Sequence, residues 1–446
     1  MMDWKKLISN KRLGQEHLHA ERHDDRTEFK RDYDRLIFSA PFRRLQNKTQ
    51  VFPLPGSIFV HNRLTHSLEV ACVGMSLGND VAQALMAKHP ELRATLFPEI
   101  GQIVASACLA HDLGNPPFGH SGEKAIQAFF KEGDGLALRD SVSAVFWDDI
   151  THFEGNANAF RLLTHQFKGR RPGGFVMTYS TLASIVKYPY SSSLSGSKGK
   201  FGFFDTERPY FERIADEMEL IRLSKPGEPA KYVRHPLVFL VEAADDICYE
   251  IMDIEDAYKL KIISYEQASE RLLKFFDADG QRRIKERIAA EGITDNNEKI
   301  VYMRACAIGI LEHECAQAFI NHEEEILRGE LPHSLIQMIG ECQRTAYEEC
   351  ASFSKRMIYR SKPVLDVELS GYKIMDTLMQ QMTEAAVHPD RFYSEQLTGR
   401  VSSQYDIDSE NLETRLMAVI DYISGMTDVY ALDVYQKMNG ISLPII

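Results

Sequence analysis

The sequence predicts an all-α protein with at most a small β-hairpin. Apolar residues recur at three- and four-residue spacing through seven segments, which is typical of helices with a buried face. Strand-like alternation is short, and the best example, "VFPLPGSIFV" at 51–60, predicts one small hairpin. No internal repeat indicates a solenoid. The seven predicted helical segments are 64–88, 100–113, 122–130, 235–260, 299–327, 334–359 and 411–438.

The composition is that of a soluble globular protein. The chain has 446 residues, of which 44% are hydrophobic and 26% charged, and no linker divides it. We therefore expect a single domain spanning 1–446. The N-terminus lacks the apolar run of a signal peptide, and no stretch approaches ~18 continuous apolar residues. The seven cysteines form no CxxC pair, so we expect reduced thiols, a cytoplasmic location and no membrane contact.

The charge distribution is uneven along the chain. The net charge of −12 argues against a general nucleic-acid coating function. From Arg161 to Arg213, however, nine Lys or Arg residues stand against three acidic ones. This region contains the loop "SSSLSGSKGKFGFF" at 191–204. It is either a solvated mobile loop or a cationic arm that closes on a polyanion.

Two helix ends carry histidines. In "HNRLTHSLEV" (61–70), His66 opens an apolar helix, and Arg63 precedes it by about one turn. In "AHDLGNPPFGHSGE" (110–123), His111 and Asp112 close another apolar helix, which a glycine and two prolines terminate. Because an aspartate at a helix C-terminus opposes the macrodipole, we expect a positive group to compensate it.

A third helix carries acids on an otherwise apolar face. Asp245, Tyr249 and Asp253 recur at i, i+4 and i+8, so they share one side of the segment 235–260. Buried carboxylates need partners. Each residue taken alone is as well explained as a core histidine or a surface acid paired with lysine. One metal ion would satisfy the whole set, with the ligands His66, His111, Asp112 and Asp245.

The order H…HD…D resembles the HD-domain phosphohydrolases. Five collinear segments resemble a narrower group, the bacterial deoxyguanosinetriphosphate triphosphohydrolase family, and the resemblance extends from about Arg26 to Leu432. The segments are "RTEFKRDYDRLIFSAPFRRLQNKTQVFPL" (26–54), "NRLTHSLEV", "AHDLGNPPFGHSGE", "HFEGNANAFRLL" (152–163) and "RLMAVIDYISGMTDVYAL" (415–432).

The resemblance implies an HD-domain helical core at about 60–260 and a helical C-terminal part at about 261–446. It places the metal ligands at His66, His111, Asp112 and one of the pair Asp245–Asp246. We choose Asp245, because the family's ligand is followed by Tyr at +4 and Asp at +8. Two imidazoles with two carboxylates suit Mn, Fe, Zn, Co or Ni, and Mg is a further alternative. We expect Mn or Mg.

The resemblance also assigns the remaining site residues. His120 and Glu123 take the positions of the family's catalytic pair. Gln50 would read the sugar 3′-hydroxyl together with Asp253, and Tyr249 would lie beside the sugar and the phosphates. The expected phosphate contacts are Arg63, His152, Asn156, Lys187 and Lys200. Because the two lysines come from the cationic region, the interpretation of that region as a functional arm is preferred. The loop 165–180 does not align, which leaves Arg170 and Arg171 without a role.

The implied reaction is hydrolysis of a deoxynucleoside triphosphate to deoxynucleoside and intact triphosphate. The expected substrate is dGTP. The family also implies a homo-oligomer (tetramer or hexamer) and a nucleotide or single-stranded DNA effector. Two alternatives stay open at this point. One is an HD phosphohydrolase acting on another nucleotide, and the other is a non-catalytic nucleotide- or ssDNA-sensing module. The intact set of ligands counts against a decayed site.

Overall fold

A computed structural model describes residues 1–16, 25–52 and 60–442. Within these ranges the protein is all-α, as predicted, and β-pairing is limited to isolated bridges such as that between Thr49 and Asn62. The predicted hairpin at 51–60 falls mainly on residues 53–59, which lie outside the described residues.

Among the described residues, ten α-helices form the first part of the fold, and short 3₁₀ turns join several of them. They are α1 Trp4–Leu7, α2 Glu28–Ile37, α3 Ala40–Arg44, α4 Arg63–Lys88, α5 Ile100–Ala110, α6 Gly119–Lys131, α7 Ala144–Thr151, α8 Gly155–Thr164, α9 Tyr179–Ile185 and α10 Arg208–Glu217.

Ten more α-helices follow within the described residues up to 442. The segment predicted at 299–327 is divided at His322, and that predicted at 334–359 continues into a π-helical turn, Ser354–Ile358. The helices are α11 Val238–Lys259, α12 Tyr265–Leu273, α13 Ala278–Ala290, α14 Asn296–Asn321, α15 Glu323–Arg328, α16 Glu341–Phe353, α17 Lys362–Val387, α18 Phe392–Thr398, α19 Leu412–Ser424 and α20 Asp428–Met438.

Helix α4 is the centre of the larger hydrophobic core. It begins at a capping box. The Asn62 side chain accepts a hydrogen bond from the Thr65 backbone amide, and the Thr65 side chain accepts one from the Asn62 backbone amide. Its apolar residues pack against α5, α11 and α14. The helix is long and apolar enough to cross a membrane, but half of its apolar window is buried inside the protein. Its length therefore fits the role of a core helix.

A second hydrophobic core joins α6 and α7 to the C-terminal helices α17, α19 and α20. Buried ion pairs connect it to the first core. Arg161 on α8 binds Asp421 of α19 through two hydrogen bonds of 2.9 and 2.8 Å, and it also binds Glu207 at 2.7 Å. Because a bidentate arginine–carboxylate pair fixes orientation as well as distance, α19 is held in register on α8.

Candidate active site

The start of α4 presents two buried side chains toward α5 and α11. His66 lies one turn into the helix, and its Nε2 atom is 3.0 Å from Oδ1 of Asp245. Arg63, the first residue of the helix, donates from Nη1 to Oδ2 of Asp112 at 2.8 Å. The positive group expected beside Asp112 is therefore Arg63.

The His111–Asp112 pair lies just past the end of α5, where His111 is the C-cap residue. The Nδ1 atom of His111 is 2.6 Å from the carbonyl oxygen of Cys108. A carbonyl can only accept, so Nδ1 carries the hydrogen and Nε2 of the neutral ring carries a lone pair. That Nε2 is buried without a hydrogen-bond partner among the described residues.

The lone pair of His111 faces negative charge. Its Nε2 atom lies 3.6 Å from Oδ2 of Asp112 and 3.5 Å from Oδ1 of Asp245. Burial lowers the pKa of His111. The charges of Asp112 and Asp245 outweigh this effect and raise the pKa to about 9. Burial also works against ionisation of Asp245, yet His111 and His66 hold its pKa well below the ordinary value. The cluster therefore requires a positive charge between these atoms, supplied by a proton or a cation.

A divalent metal fits this arrangement. One ligand atom from each of His66, His111 and Asp112 lies within 4.8 Å of the others, and Asp245 contacts both histidines. Outer contacts orient the ligands: the Cys108 carbonyl holds His111, and Arg63 holds Asp112. Asp246 takes no part in the cluster. It makes no hydrogen bond to either histidine among the described residues, and burial raises its pKa to about 8.

The loop after Asp112 turns sharply through Phe118 and Gly119, whose φ angles of 59° and 56° are both left-handed. A Cβ at Gly119 would lie 2.5 Å from Nη2 of Arg63, so only glycine allows Arg63 this close approach. Helix α6 begins at Gly119, three residues before the predicted start at 122, because the left-handed turn at Phe118 and Gly119 starts the helix earlier.

His120 stands in the first turn of α6 with its side chain 71% exposed. Nδ1 of His120 is 3.2 Å from Oε2 of Glu123, so the two residues that the resemblance pairs are in contact. Glu123 is buried, and its other oxygen accepts the Gly155 amide at 2.7 Å. Burial raises the pKa of Glu123, but the His120 contact and Lys200 lower it below the ordinary value. Glu123 is therefore an anion that can orient the imidazole.

A second buried acid, Glu154, binds two of the residues that are predicted to contact the phosphates. It caps α8 and accepts from Nζ of Lys200 at 2.6 Å and from Nδ2 of Asn156 at 2.7 Å. Burial raises the pKa of Glu154, and the charge of Glu123 raises it further. Sequence reasoning missed Glu154, because a glutamate before a helix reads as an ordinary cap.

A cavity of about 260 Å³ opens beside the histidine–aspartate cluster. Three of the predicted ligands, His111, Asp112 and Asp245, line one part of it. Lys187 also lines the cavity, and its Nζ lies 2.8 Å from Glu242, a second acid that sequence reasoning missed. The other predicted phosphate contacts in the wall are Asn156 and Lys200.

The face of α11 continues away from the cluster as predicted. The Tyr249 ring packs edge-on against His66 at 6.4 Å between centroids. Asp253 accepts from the hydroxyl of Tyr359 at 2.7 Å, and burial raises the pKa of Asp253 well above the ordinary value. Tyr359 follows the π-helical turn and had no sequence signal, because only tertiary packing brings it to α11.

Two predicted residues lie apart from these contacts. Gln50 has a buried Oε1 atom, and no hydrogen bond joins it to Asp253 within residues 1–16, 25–52 and 60–442. His152 places Nδ1 2.9 Å from the carbonyl of Asp148. Among the described residues, the cavity wall beside the cluster includes neither of them.

Comparison with known proteins agrees with this geometry. A model of the HD domain matches residues 63–171, and a model of a phosphohydrolase-associated domain matches residues 340–437. With the histidine–aspartate cluster, these matches define the class: the chain is a hydrolase with an HD domain.

Curated relatives define the family. A deoxyguanosinetriphosphate triphosphohydrolase-like protein of Synechocystis is 37% identical, with 99% of this chain and 100% of the relative aligned. A protein of that name from Pseudomonas aeruginosa strain LESB58 is 36% identical with the same coverage. The deoxyguanosinetriphosphate triphosphohydrolase of Yersinia enterocolitica is 28% identical over 98% of this chain and 99% of its own length. The chain belongs to the deoxyguanosinetriphosphate triphosphohydrolase family.

Proposed function

We propose that this protein hydrolyses a deoxynucleoside triphosphate, with dGTP preferred, to the deoxynucleoside and intact inorganic triphosphate. The observation that carries the proposal is the cavity beside the cluster. His111, Asp112 and Asp245, which are suited to bind a cation, line one part of it. Its wall also contains Lys187, Lys200 and Asn156. A polyphosphate that spans the cavity would meet a metal and two lysines together. The names of the relatives support the substrate class.

The metal would be held by His66, His111, Asp112 and Asp245, with Mn or Mg first and Fe, Co, Ni or Zn as alternatives. When bound, it supplies polarisation of the α-phosphate and orientation of the attacking water. Asp245 is accessible from the cavity, and the neighbouring Arg63 guanidinium can share the charge of the α-phosphate.

His120 and Glu123 would act as the catalytic pair. Glu123 is anionic and holds Nδ1 of His120, which leaves Nε2 free to carry a proton near the scissile bond. Lys187, Lys200 and Asn156 would bind the triphosphate as the 5′ oxygen leaves. Gln50 and Asp253 would read the 3′-hydroxyl, and Tyr249 would pack beside the sugar.

Tyr359 joins this set. Its hydroxyl donates to Asp253, and its ring centroid lies 6.1 Å from that of Tyr249. It would hold the sugar-reading acid in place from the C-terminal side of the chain.

We further propose that the protein works in the cytoplasm as a homo-oligomer, in agreement with its free cysteines and with an exposed apolar stripe on α17. Leu365, Leu369 and Tyr372 form that stripe and are 41%, 72% and 39% exposed. Light scattering on the purified chain tests the oligomeric state.

The reaction is tested by incubating the protein with each dNTP and NTP, in the presence of Mn or Mg, and separating the products. We expect deoxyguanosine and triphosphate from dGTP. Orthophosphate with dGDP, or pyrophosphate with dGMP, would contradict the proposal. Faster turnover of a ribonucleotide or a monophosphate would favour an HD phosphohydrolase with another substrate.

A further inference from the structure

One of the five segments that resemble the family contains none of the proposed site residues. The segment "RLMAVIDYISGMTDVYAL" (415–432) forms most of α19 and the start of α20, within the phosphohydrolase-associated region. It contacts both the N-terminal part of the chain and the HD domain. Besides the Arg161–Asp421 pair, the carbonyl of Ser424 accepts from Lys48 at 3.0 Å, and that of Gly425 accepts from Arg44 at 3.1 Å.

Asp428 of this segment contacts the loop that leads to the proposed catalytic pair. It is the first residue of α20, and its side chain is buried. Its Oδ1 accepts the backbone amide of Phe118 at 2.9 Å, and its Oδ2 accepts the amide of Thr49 at 2.8 Å. One carboxylate therefore connects two irregular segments that are far apart in the sequence.

Both segments lead directly to proposed site residues. Thr49 precedes Gln50, and Phe118 lies two positions before His120. Lys48 strengthens the connection, because its buried Nζ donates to the carbonyls of both Asn115 and Ser424. The loop between Asp112 and His120 is thus attached to α19 and α20 at two points.

The Phe118 backbone needs such support. A non-glycine residue with a φ of 59° is strained, and the amide of Phe118 would lack its acceptor without Asp428. The Phe118 ring also packs closely on α17, since a Cβ at Gly371 would lie 2.5 Å from it. The C-terminal helices therefore hold the turn that precedes His120 and determines its position.

We propose that Asp428 is a positioning residue for the reaction, a role that rests on the proposed function. Its carboxylate holds the turn before His120 and the segment before Gln50 in one fixed relation. Both oxygens are used, so an amide in the same place cannot accept from both backbone N–H groups. A misplacement of about 1 Å in a catalytic group costs up to roughly 10²-fold in rate.

The test compares Asp428→Asn, which keeps the shape, with Asp433→Asn as its matched control. Asp433 lies on the same helix, 41% exposed, and pairs with Lys437. We expect Asp428→Asn to lower kcat by roughly 10- to 100-fold. The KM should change much less than kcat, and bound metal and folded fraction should stay at the wild-type level. Asp433→Asn should keep the wild-type kcat.

Amide hydrogen exchange gives a readout that does not depend on activity. The peptides that contain Thr49 and Phe118 should exchange faster in Asp428→Asn than in the wild type. Their exchange rates in Asp433→Asn should equal those of the wild type. An unchanged kcat in folded Asp428→Asn, or a loss that only follows lost metal or lost folded protein, would overturn the proposal. If the wild type hydrolyses no dNTP, the proposed function fails, and unchanged exchange at both peptides would separately overturn the positioning role.

Discussion

The Nε2 atom of His111 lies 3.5 Å from Oδ1 of Asp245. The other ring nitrogen of His111, Nδ1, donates a hydrogen bond to the carbonyl of Cys108. A lone pair and a carboxylate this close repel each other unless a positive charge lies between them. His66 adds a second imidazole to the same carboxylate oxygen at 3.0 Å. The metal hypothesis thus rests on a hydrogen-bond pattern as well as on the residue types.

The first prediction separates the two neighbouring aspartates of α11. Asp245→Ala should lose the bound metal and with it the activity, because Asp245 contacts both histidines. Asp246→Ala, one position along the same helix, should retain most of the metal. Elemental analysis after dialysis measures both variants, and full occupancy in Asp245→Ala would exclude this ligand assignment.

The second prediction concerns the lysines of the cavity. Lys187→Gln and Lys200→Gln should each raise the KM for dNTP by roughly 10-fold or more, the scale of one hydrogen bond to a charged group. Glu242 and Glu154 hold these ammonium groups at 2.8 and 2.6 Å, so their positions are fixed before substrate arrives.

Lys198→Gln is the matched control for the lysines, because Lys198 is exposed in the same loop region. It should leave the KM unchanged. Inhibition by inorganic tripolyphosphate provides a measurement that does not involve the chemical step. If tripolyphosphate binds the Lys187 and Lys200 variants as tightly as the wild type, these lysines do not contact the phosphates.

Much of the site could be predicted because its signals are local. Apolar spacing located α4, α5 and α11, and the i, i+4, i+8 pattern placed Asp245, Tyr249 and Asp253 on one face. The roles of Glu154, Glu242 and Tyr359 could not be predicted, since each depends on a partner brought from a distant segment by folding. The start of α6 also depends on a tertiary contact, the approach of Arg63 to Gly119.

The third prediction concerns pH and stability. His235 is buried, with Nε2 donating to the Leu7 carbonyl at 3.0 Å and Nδ1 accepting the Leu237 amide at 3.2 Å. Burial lowers its pKa to about 4, although the bond to Leu7 opposes this shift. The unfolded chain, with an ordinary pKa of 6.5, therefore takes up the proton first as the pH falls. Neutral His235 therefore contributes its full amount to the free energy of unfolding above pH 6.5. This contribution, about 3 kcal/mol, is lost as the pH falls toward 4.

His235→Gln removes this titration and keeps a donor for Leu7. Urea unfolding at several pH values between 7 and 4 should show the advantage of the wild type over this variant shrinking by about 3 kcal/mol. His388→Gln, at a histidine with a 45% exposed side chain, should show no such change. Parallel curves for wild type and His235→Gln would mean that His235 does not titrate in this range.

The fourth prediction concerns the proposed catalytic pair. His120→Ala should keep metal content, folding and substrate binding, because the side chain is 71% exposed and is not a ligand. Turnover should fall by roughly 10²–10⁴-fold, the usual range for general acid–base catalysis. Lys124→Ala, an exposed substitution on the same helix, should have no effect on kcat.

Glu123→Gln should reduce turnover less than His120→Ala, because it removes orientation and charge support while the proton carrier stays. Glu123 also binds the Gly155 amide and faces Lys200 at 3.9 Å, so an increase in KM should accompany the loss in kcat. The two residues act as one unit, so the double variant should be hardly slower than His120→Ala alone. Multiplicative losses in kcat would show that they act independently, and near-normal turnover in His120→Ala would leave His120 with no catalytic role at the start of α6.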